Sequence, residues 1–222
     1  MNKFKENIRP LCWLVSIPIV NVFYALLNNS SRGAFNLVTT IDDKIPFIQY
    51  FILPYMSWYA FMFLTMAYIC VKDKKTYYKT LITLDLGLIF CYIIYFIFQT
   101  TVPRPELYGS DLFTKAVAIM YKTDSPYNCF PSIHVLTSYL MVKAIYKSKA
   151  RNPINFIIIS FCATAIIIST LFIKQHVIAD IVSGVLVADI LFDIVFKVNE
   201  EKFLKYIKKL CSVITIKNKL EV

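Results

Sequence analysis

Charged residues and glycines are scarce in this sequence. Of its 222 residues, 17% are charged and 4 are glycine, whereas 58% are hydrophobic and the mean hydropathy is +0.59. A soluble domain with this composition would have too few polar side chains to cover its apolar surface. The composition therefore excludes an ordinary water-soluble globular protein and indicates a membrane protein with several spans.

The sequence also lacks any cysteine pair with the spacing of a zinc site. Its six cysteines are scattered without a C-x-x-C pair, and only Cys129 falls in a segment expected on the oxidising side of a membrane. Disulfide frameworks and zinc knuckles need paired cysteines in the same compartment. The pattern excludes both kinds of fold.

Apolar runs of membrane length divide the chain. They predict spans at about 10–28, 46–71, 80–99, 132–147, 154–173 and 175–196, because a helix needs about 20 apolar residues to cross a hydrocarbon layer of roughly 30 Å. The first run reaches membrane length, so it is interpreted as a retained span and not as a signal peptide. The predicted fold class is all-α, an integral membrane bundle of six transmembrane helices.

The basic residues are distributed unevenly around these predicted spans. If the N-terminus is cytoplasmic, 18 of the 24 lysines and arginines lie inside. The six on the outer side are Arg32, Lys44, Arg104, Lys115, Lys122 and Lys174. This is the positive-inside pattern, and it accounts for the net charge of +10 without a nucleic-acid partner. Lysine outnumbers arginine 20 to 4, which favours an AT-rich genome and a bacterial plasma membrane.

Both histidines of the chain fall at the outer ends of predicted spans. His134 follows Ser132 and Ile133 at the start of the fourth span. The free N–H groups of a helix start, together with a serine hydroxyl, form a site suited to an anion. An oxyanion held there would lie beside His134.

The second histidine, His176, precedes Asp180 by four residues. On a helix this spacing stacks the two side chains, so the carboxylate can accept a hydrogen bond from one ring nitrogen and leave the other as a nucleophile or base. An aspartate inside an apolar span is costly unless it is paired. Taken alone, such a pair is more often a satisfied polar contact at a helix end than a functional site.

Two outer cations complete the candidate site. Arg104 lies between Pro103 and Pro105 in the long connection at about 100–131, and its planar guanidinium suits a phosphate. Lys174 lies two residues before His176. Because both histidines and both cations are expected at one level of the membrane, the pattern predicts a phosphate site at the outer face.

At these residues the chain resembles the type 2 phosphatidic acid phosphatase superfamily of integral membrane enzymes. That family carries, in order, a lysine seven residues before Arg-Pro, then Pro-Ser-Gly-His, then Ser-Arg with a histidine six and an aspartate ten residues after the arginine. The matching residues here are Arg104-Pro105, Pro131-Ser132-Ile133-His134, and Ser169 with His176 and Asp180. Two family cations are replaced by Ile97 and Thr170, and Lys174 is the candidate substitute.

The resemblance implies a lipid phosphate or diphosphate phosphatase that works through a phosphohistidine intermediate at the extracytoplasmic face. His176 is the implied nucleophile, Asp180 its partner, and His134 the general acid and base. The residues expected to bind the phosphate are Arg104, Lys174, Ser132 and Ile133. No cofactor and no metal is implied, and the expected partners are a lipid phosphate substrate and membrane lipids. The chain is interpreted as one membrane domain, 1–222, with a catalytic core at about 46–196 and a basic cytoplasmic tail at about 197–222.

The sequence leaves three alternative functions open. The run Ile41–Phe47 and the residues around His176 look like the branch related to inositol phosphorylceramide synthase and sphingomyelin synthase, whose members are often phosphotransferases, so the acceptor can be an alcohol. The missing cations allow a non-catalytic lipid transporter or a degenerate family member. A metal site built from His134, His176 and Asp180 predicts sensitivity to chelators.

Overall fold

The structure, a computed structural model, describes residues 9–198 and is mostly helical. A helical stretch, Arg9–Leu27, contains the 3-10 turn Cys12–Val15 and helix α1, and a second 3-10 turn, Gln49–Phe51, precedes α3. The helices are α1 (Ser16–Leu27), α2 (Thr40–Asp43), α3 (Ile52–Met56), α4 (Trp58–Lys72), α5 (Lys74–Ile97), α6 (Leu112–Thr123), α7 (Ile133–Lys147), α8 (Pro153–Phe172) and α9 (Ile178–Lys197). Strands β1 (Phe35–Asn36) and β2 (Thr100–Thr101) pair in parallel. The predicted basic tail lies outside the described residues from position 199 onward.

Four helical stretches among the described residues are long and apolar enough to cross a membrane. They are Arg9–Leu27, Gln49–Lys72, Lys74–Ile97 and Pro153–Phe172. The predicted fourth and sixth spans are present as α7 and α9, but α7 has only 15 residues, which is about 22 Å of helix, and α9 carries three aspartates. The helical membrane protein predicted from composition is confirmed, whereas the count of six spans stays a prediction.

The third span begins six residues before its predicted start because Asp73 caps α5. The Oδ1 atom of Asp73 accepts a hydrogen bond from the Thr76 amide at 3.1 Å, and Oδ2 accepts one from the Thr76 hydroxyl at 2.8 Å. Such a cap satisfies free N–H groups of the first turn. The polar turn Lys74–Lys79 therefore belongs to the helix even though its side chains are too polar to be recognised as part of a span.

Helix α7 lies in the middle of the bundle. It packs against α4, α5, α8 and α9, and ten of its 15 residues are buried. Leu136, Leu140 and Met141 form part of its contribution to the main hydrophobic core. Because other helices surround α7, it does not have to present an apolar surface of full membrane length to lipid.

Helices α7 and α9 are joined closely at the end of the bundle that carries the histidines. A Cβ atom added at Gly184 in α9 would lie 2.8 Å from the Ser132 carbonyl oxygen and 3.0 Å from the Val135 Cβ atom. The Ser132 amide donates a hydrogen bond to the Asp180 carbonyl oxygen at 3.2 Å. Only glycine allows this approach of one backbone to the other, so Gly184 fixes the start of α7 against α9.

The opposite end of the same helix pair is held by charge. Lys143 in α7 forms ion pairs with Asp189 and, at 3.3 Å, with Asp193 of α9. These contacts account for two of the aspartates that make α9 less apolar than an ordinary span. They also explain why a helix with three carboxylates packs stably inside the bundle.

Candidate active site

His176 and Asp180 are in contact, as the sequence spacing predicts, but the contact has a different origin. His176 lies two residues before α9, and its Nδ1 atom is 3.1 Å from Oδ2 of Asp180. The same carboxylate oxygen accepts a hydrogen bond from the Val177 amide at 3.0 Å. Asp180 therefore caps the start of α9 and fixes His176 in the same interaction. Both side chains are buried, His176 to 7% exposed and Asp180 to 1%.

The turn before His176 is tight. Lys174 adopts a φ of 52°, and the amides of Gln175 and His176 both donate to the Thr170 carbonyl oxygen, at 2.9 and 3.1 Å. This arrangement closes the end of α8. A left-handed conformation is unfavourable for lysine, so the backbone is held by these bonds and by the burial of the residues that follow.

His134 lies in the first turn of α7 on a wall of aromatic rings. Its ring centroid is 4.1 Å from that of Trp58, 4.7 Å from that of Tyr55 and 5.6 Å from that of His176. The Trp58 indole N–H donates to the Thr137 hydroxyl at 2.7 Å, which fixes the ring beneath His134. The Nδ1 atom of His134 is buried without a hydrogen-bond partner among the described residues. The two histidines that are 42 positions apart in sequence thus form one pair.

Arg104 is held beside this pair by three contacts. Its guanidinium donates to the Tyr121 carbonyl oxygen at 2.7 Å and to Oε1 of Gln175 at 3.0 Å, and it lies 4.3 Å from the centroid of the Tyr121 ring. Gln175 is the neighbour of His176 in sequence. The contact therefore locks the predicted cation against the turn that carries the predicted nucleophile. Helix α6, which follows the capping residue Asp111, supplies Tyr121.

A cavity of about 260 Å³ opens between these elements, and we call it the cationic cavity. Arg104, Lys174 and His176 line it, together with Asp42 and Asp43. The two carboxylates offset the two cations in formal charge, but the guanidinium and ammonium donors share this space with the candidate nucleophile. The cavity therefore has the donors and the volume to hold an oxyanion of the size of a phosphate.

Asp42 is a site residue that the sequence reasoning did not assign. Burial acts to raise the pKa of its carboxyl, but hydrogen bonds from the Thr39 hydroxyl and amide and from the Ile178 amide, together with the Lys174 charge, bring the pKa below its ordinary value. The bond from Ile178 is 2.8 Å long, and the Lys174 ammonium donates to the Asp42 carbonyl oxygen at 3.0 Å. Through the hydrogen bond from Ile178, Asp42 connects the segment before the second span to the start of α9.

The other residues that the sequence singled out are not among those that line the cationic cavity in the described part of the chain. Ser132 is completely buried, and its hydroxyl accepts a hydrogen bond from the Val135 amide at 3.3 Å as the N-cap of α7. Ile133 lines the space next to both histidines. Ile97 is 73% exposed at the end of α5, and Thr170 is fully buried with its hydroxyl donating to the Ile167 carbonyl oxygen. Neither is among the described residues that line the cationic cavity.

Three side chains form the one group with metal-ligand geometry among residues 9–198. They are Cys129, His176 and Asp180, whose candidate ligand atoms lie within 4.8 Å of one another. Cys129, and not His134 as the sequence suggested, is the third member of this group. Burial raises the pKa of the Cys129 thiol well above its ordinary value, so the thiolate that a metal would need is disfavoured. Oδ2 of Asp180 already contacts the Val177 amide and the His176 ring, whereas Oδ1 is buried without a hydrogen-bond partner among the described residues.

One comparison with known proteins identifies the family of this chain. A family model described as the PAP2 superfamily matches residues 79–203, which is more than half of the chain. The match contains all seven residues that the sequence reasoning placed in the site. No curated protein and no solved structure matches the chain. The branch related to inositol phosphorylceramide synthase stays a prediction.

Proposed function

This chain belongs to the PAP2 superfamily, and we propose that it is an integral membrane enzyme that hydrolyses lipid phosphates or diphosphates through a phosphohistidine intermediate. Members of the superfamily are generally phosphatases or phosphotransferases, which supports the reaction class. The observation that carries the proposal is the His134–His176 pair, with ring centroids 5.6 Å apart, beside a cavity lined by Arg104 and Lys174.

In the first proposed step, the free ring nitrogen of His176 attacks the phosphorus atom of the substrate. The phosphorus–nitrogen bond forms as the bond to the leaving oxygen breaks, and that oxygen takes a proton from His134. Asp180 holds the Nδ1 proton of His176 and stabilises the positive charge that develops on the ring. The 3.1 Å contact between His176 and Asp180 supports this role.

In the second step, water takes the place of the departed group. His134, now neutral, accepts a proton from the water as the oxygen bonds to phosphorus and the phosphorus–nitrogen bond breaks. Arg104 and Lys174 neutralise charge on the oxygens of the transferring phosphoryl group in both steps. In the proposed mechanism the side chains of His176, His134, Asp180, Arg104 and Lys174 carry out both steps, and no metal is required.

The proposed topology has six spans, with α7 and α9 as the fourth and sixth. In this topology the start of α7, the end of α8 and the start of α9 lie at one face of the membrane. The site residues come from these ends and from the connection that follows α5. The excess of basic residues lies on the opposite face of the membrane. Because basic residues accumulate on the cytoplasmic side, we place the site on the extracytoplasmic side. We place the protein in a bacterial plasma membrane on the lysine-to-arginine ratio alone.

This orientation predicts the result of cysteine labelling in intact cells. Ser110 and Arg151 are both exposed, and they lie on opposite sides of the proposed membrane. Ser110→Cys should react with a membrane-impermeant maleimide above the level of the parent chain, and Arg151→Cys should react only after the cells are opened. The reverse pattern would place the site in the cytoplasm.

The reaction itself is tested by assaying purified protein against a panel of lipid phosphates and diphosphates, with and without alcohol acceptors and with EDTA. Phosphate release that persists in EDTA supports the proposed phosphatase. Transfer of the phosphoryl group to an alcohol without free phosphate would identify a phosphotransferase instead. Loss of activity in EDTA would identify the Cys129, His176 and Asp180 group as a metal site. No turnover of any substrate would favour a lipid transporter or a degenerate family member.

Gly184 provides a test of how strictly the two histidines must be placed. Gly184→Ala forces a methyl group against the Ser132 carbonyl oxygen, so α7 and α9 must separate. We expect a loss of about 1–3 kcal/mol in the free energy of unfolding and at least about a tenfold loss of turnover per folded molecule, because small misplacements of reacting groups are costly. Thermal unfolding in detergent and the panel assay measure the two effects.

Gly87→Ala is the matched control for this substitution. Its added methyl group meets the terminal atoms of the flexible Leu136 side chain at 2.9 and 3.1 Å, and no backbone atom is among the nearest contacts. Leu136 can move aside, so this variant should retain turnover. Equal losses of turnover in the two variants would show that the close approach at Gly184 has no special importance for the site.

A further inference from the structure

A second cavity, of about 380 Å³, lies against His134, whereas the cationic cavity lies against His176. Four aromatic side chains line it: Tyr24, Tyr55, Trp58 and Tyr59. We call it the aromatic cavity. A narrow space lined by both histidines and by Gln175 lies between the two cavities. The aromatic cavity therefore adjoins the reacting pair from the side of the proposed general acid.

The aromatic cavity differs from the cationic cavity because no cation that the structure describes balances its carboxylate, whereas Arg104 and Lys174 balance Asp42 and Asp43. Among the described residues that line it, Asp124 is the one carboxylate, and no lysine or arginine is present. The Tyr24 hydroxyl and the Asn28 amide both donate to Oδ1 of Asp124, each at 2.8 Å. Both donors are neutral, and within residues 9–198 no ion pair is found for Asp124 and no hydrogen bond reaches its Oδ2 atom.

Aromatic faces beside a carboxylate without a cationic partner are suited to an ammonium group. The negative face of an aromatic ring attracts a cation, and the attraction is strongest where water is excluded. Tyr55 is 7% exposed and Trp58 is 5% exposed, so the inner wall of the cavity is well shielded. Asp124 would repel an anionic group, and it would offer a neutral group a hydrogen bond but no attraction between opposite charges.

The position of the cavity says which part of the substrate would carry this ammonium group. In an in-line displacement, the attacking and leaving groups lie on opposite sides of the phosphorus atom. His176 attacks from the cationic cavity, and His134 protonates the oxygen that leaves on the other side. The group that leaves, or that later accepts the phosphoryl group, is therefore the one that reaches the aromatic cavity.

We propose that the aromatic cavity binds an ammonium group carried by the alcohol that leaves or accepts the phosphoryl group, so that the preferred substrates are phosphate esters of amino alcohols. This inference rests on the proposed function. The ammonium group can belong to a zwitterionic head group or to a long-chain amino alcohol. In the first step, the phosphorus–oxygen bond to the amino alcohol breaks as the bond to His176 forms, and the leaving oxygen takes the proton from His134.

The test compares substrates that differ in the charge of one nitrogen. The first pair is sphingosine 1-phosphate and N-acetylsphingosine 1-phosphate, and the second is phosphatidylethanolamine and N-acetylphosphatidylethanolamine. Acetylation removes the positive charge and adds a small group. We expect kcat/KM to be at least about tenfold higher for the free amine in at least one pair. The pair that shows the difference identifies the source of the ammonium group.

Asp124→Asn is the decisive variant because an amide oxygen still accepts hydrogen bonds from Tyr24 and Asn28, while the charge is lost. It should bring the ratio between amine and acetylated substrate close to one, because it lowers kcat/KM for the free amine. Asp111→Asn removes an exposed carboxylate of the same connection and should keep the ratio. Tyr59→Phe should also keep it, whereas Tyr59→Leu should lower it.

Two results would overturn the inference while leaving the phosphatase intact: a ratio near one in both substrate pairs, or a ratio that Asp124→Asn does not change. If none of the four lipids is turned over, tetramethylammonium binding provides the readout. Trp58 fluorescence in a Trp13→Phe background should change saturably with tetramethylammonium, and Asp124→Asn should remove the change. The absence of a saturable, Asp124-dependent change would likewise overturn the inference.

Discussion

His176→Ala is expected to reduce turnover by at least about four orders of magnitude, because it removes the nucleophile of the first proposed step and, with it, the phosphohistidine that the second step hydrolyses. It should also abolish the acid-labile, alkali-stable phosphoenzyme that the wild-type protein forms when it is mixed with labelled substrate and quenched. Asp180→Asn should retain the nucleophile but lower turnover by about two to four orders of magnitude, since an amide cannot hold the ring tautomer or stabilise its charge. Rapid-quench labelling and steady-state assays measure both effects.

The matched control lies in the same helix. Asp193→Asn removes a carboxylate about 20 Å along α9 from Asp180, where the side chain is 52% exposed and paired with Lys143, and it should leave turnover unchanged. Near-normal turnover of His176→Ala would refute the nucleophile assignment. Labelling that survives in His176→Ala would point to another nucleophile, for which His134 is the nearest candidate.

Arg104→Met and Lys174→Asn should each lower turnover by about two orders of magnitude or more, because each removes one charge-assisted contact from a partly dehydrated phosphoryl group. Asparagine is chosen at Lys174 because it tolerates the left-handed backbone that Lys174 adopts at a φ of 52°. The loss can then be assigned to the charge and not to strain in the turn. Lys174→Arg, which keeps the charge, should retain more activity than Lys174→Asn. Turnover normalised to folded protein is the quantity to compare.

Lys115→Met supplies the control for these substitutions. It removes an exposed cation from α6 on the same proposed face and should change turnover little. An unaltered turnover of Lys174→Asn would show that the ammonium serves only to hold the Asp42 carbonyl oxygen, at 3.0 Å, and would leave Arg104 as the identified cation of the site. Thr170→Arg, which restores the arginine of the family signature, is not expected to recover the turnover lost in Lys174→Asn. Thr170 is fully buried and does not line the cavity.

The sequence by itself determined the helical membrane fold and most of the candidate chemistry. Apolar runs long enough to cross a membrane are a local property, so the spans near 10–28, 46–71, 80–99 and 154–173 could be recognised without any tertiary contact. The four-residue separation of His176 and Asp180 is local too. This separation predicted the contact between the two side chains correctly. The contact forms, however, because Asp180 caps the start of α9 and His176 lies just before that helix.

Only the tertiary structure decided how these residues meet and what surrounds them. Arg104 contacts Gln175 across 71 positions, and the Ile178 amide contacts Asp42 across 136; no spacing rule connects such residues. The aromatic wall behind His134 and the carboxylate of Asp124 likewise come from separate helices and connections. A sequence pattern records the period of one helix, whereas a cavity is formed by side chains from several helices whose relative rotation and spacing depend on packing throughout the bundle. The proposed nucleophile His176 and its partner Asp180 were therefore visible in the sequence, and the two cavities beside the histidines were not.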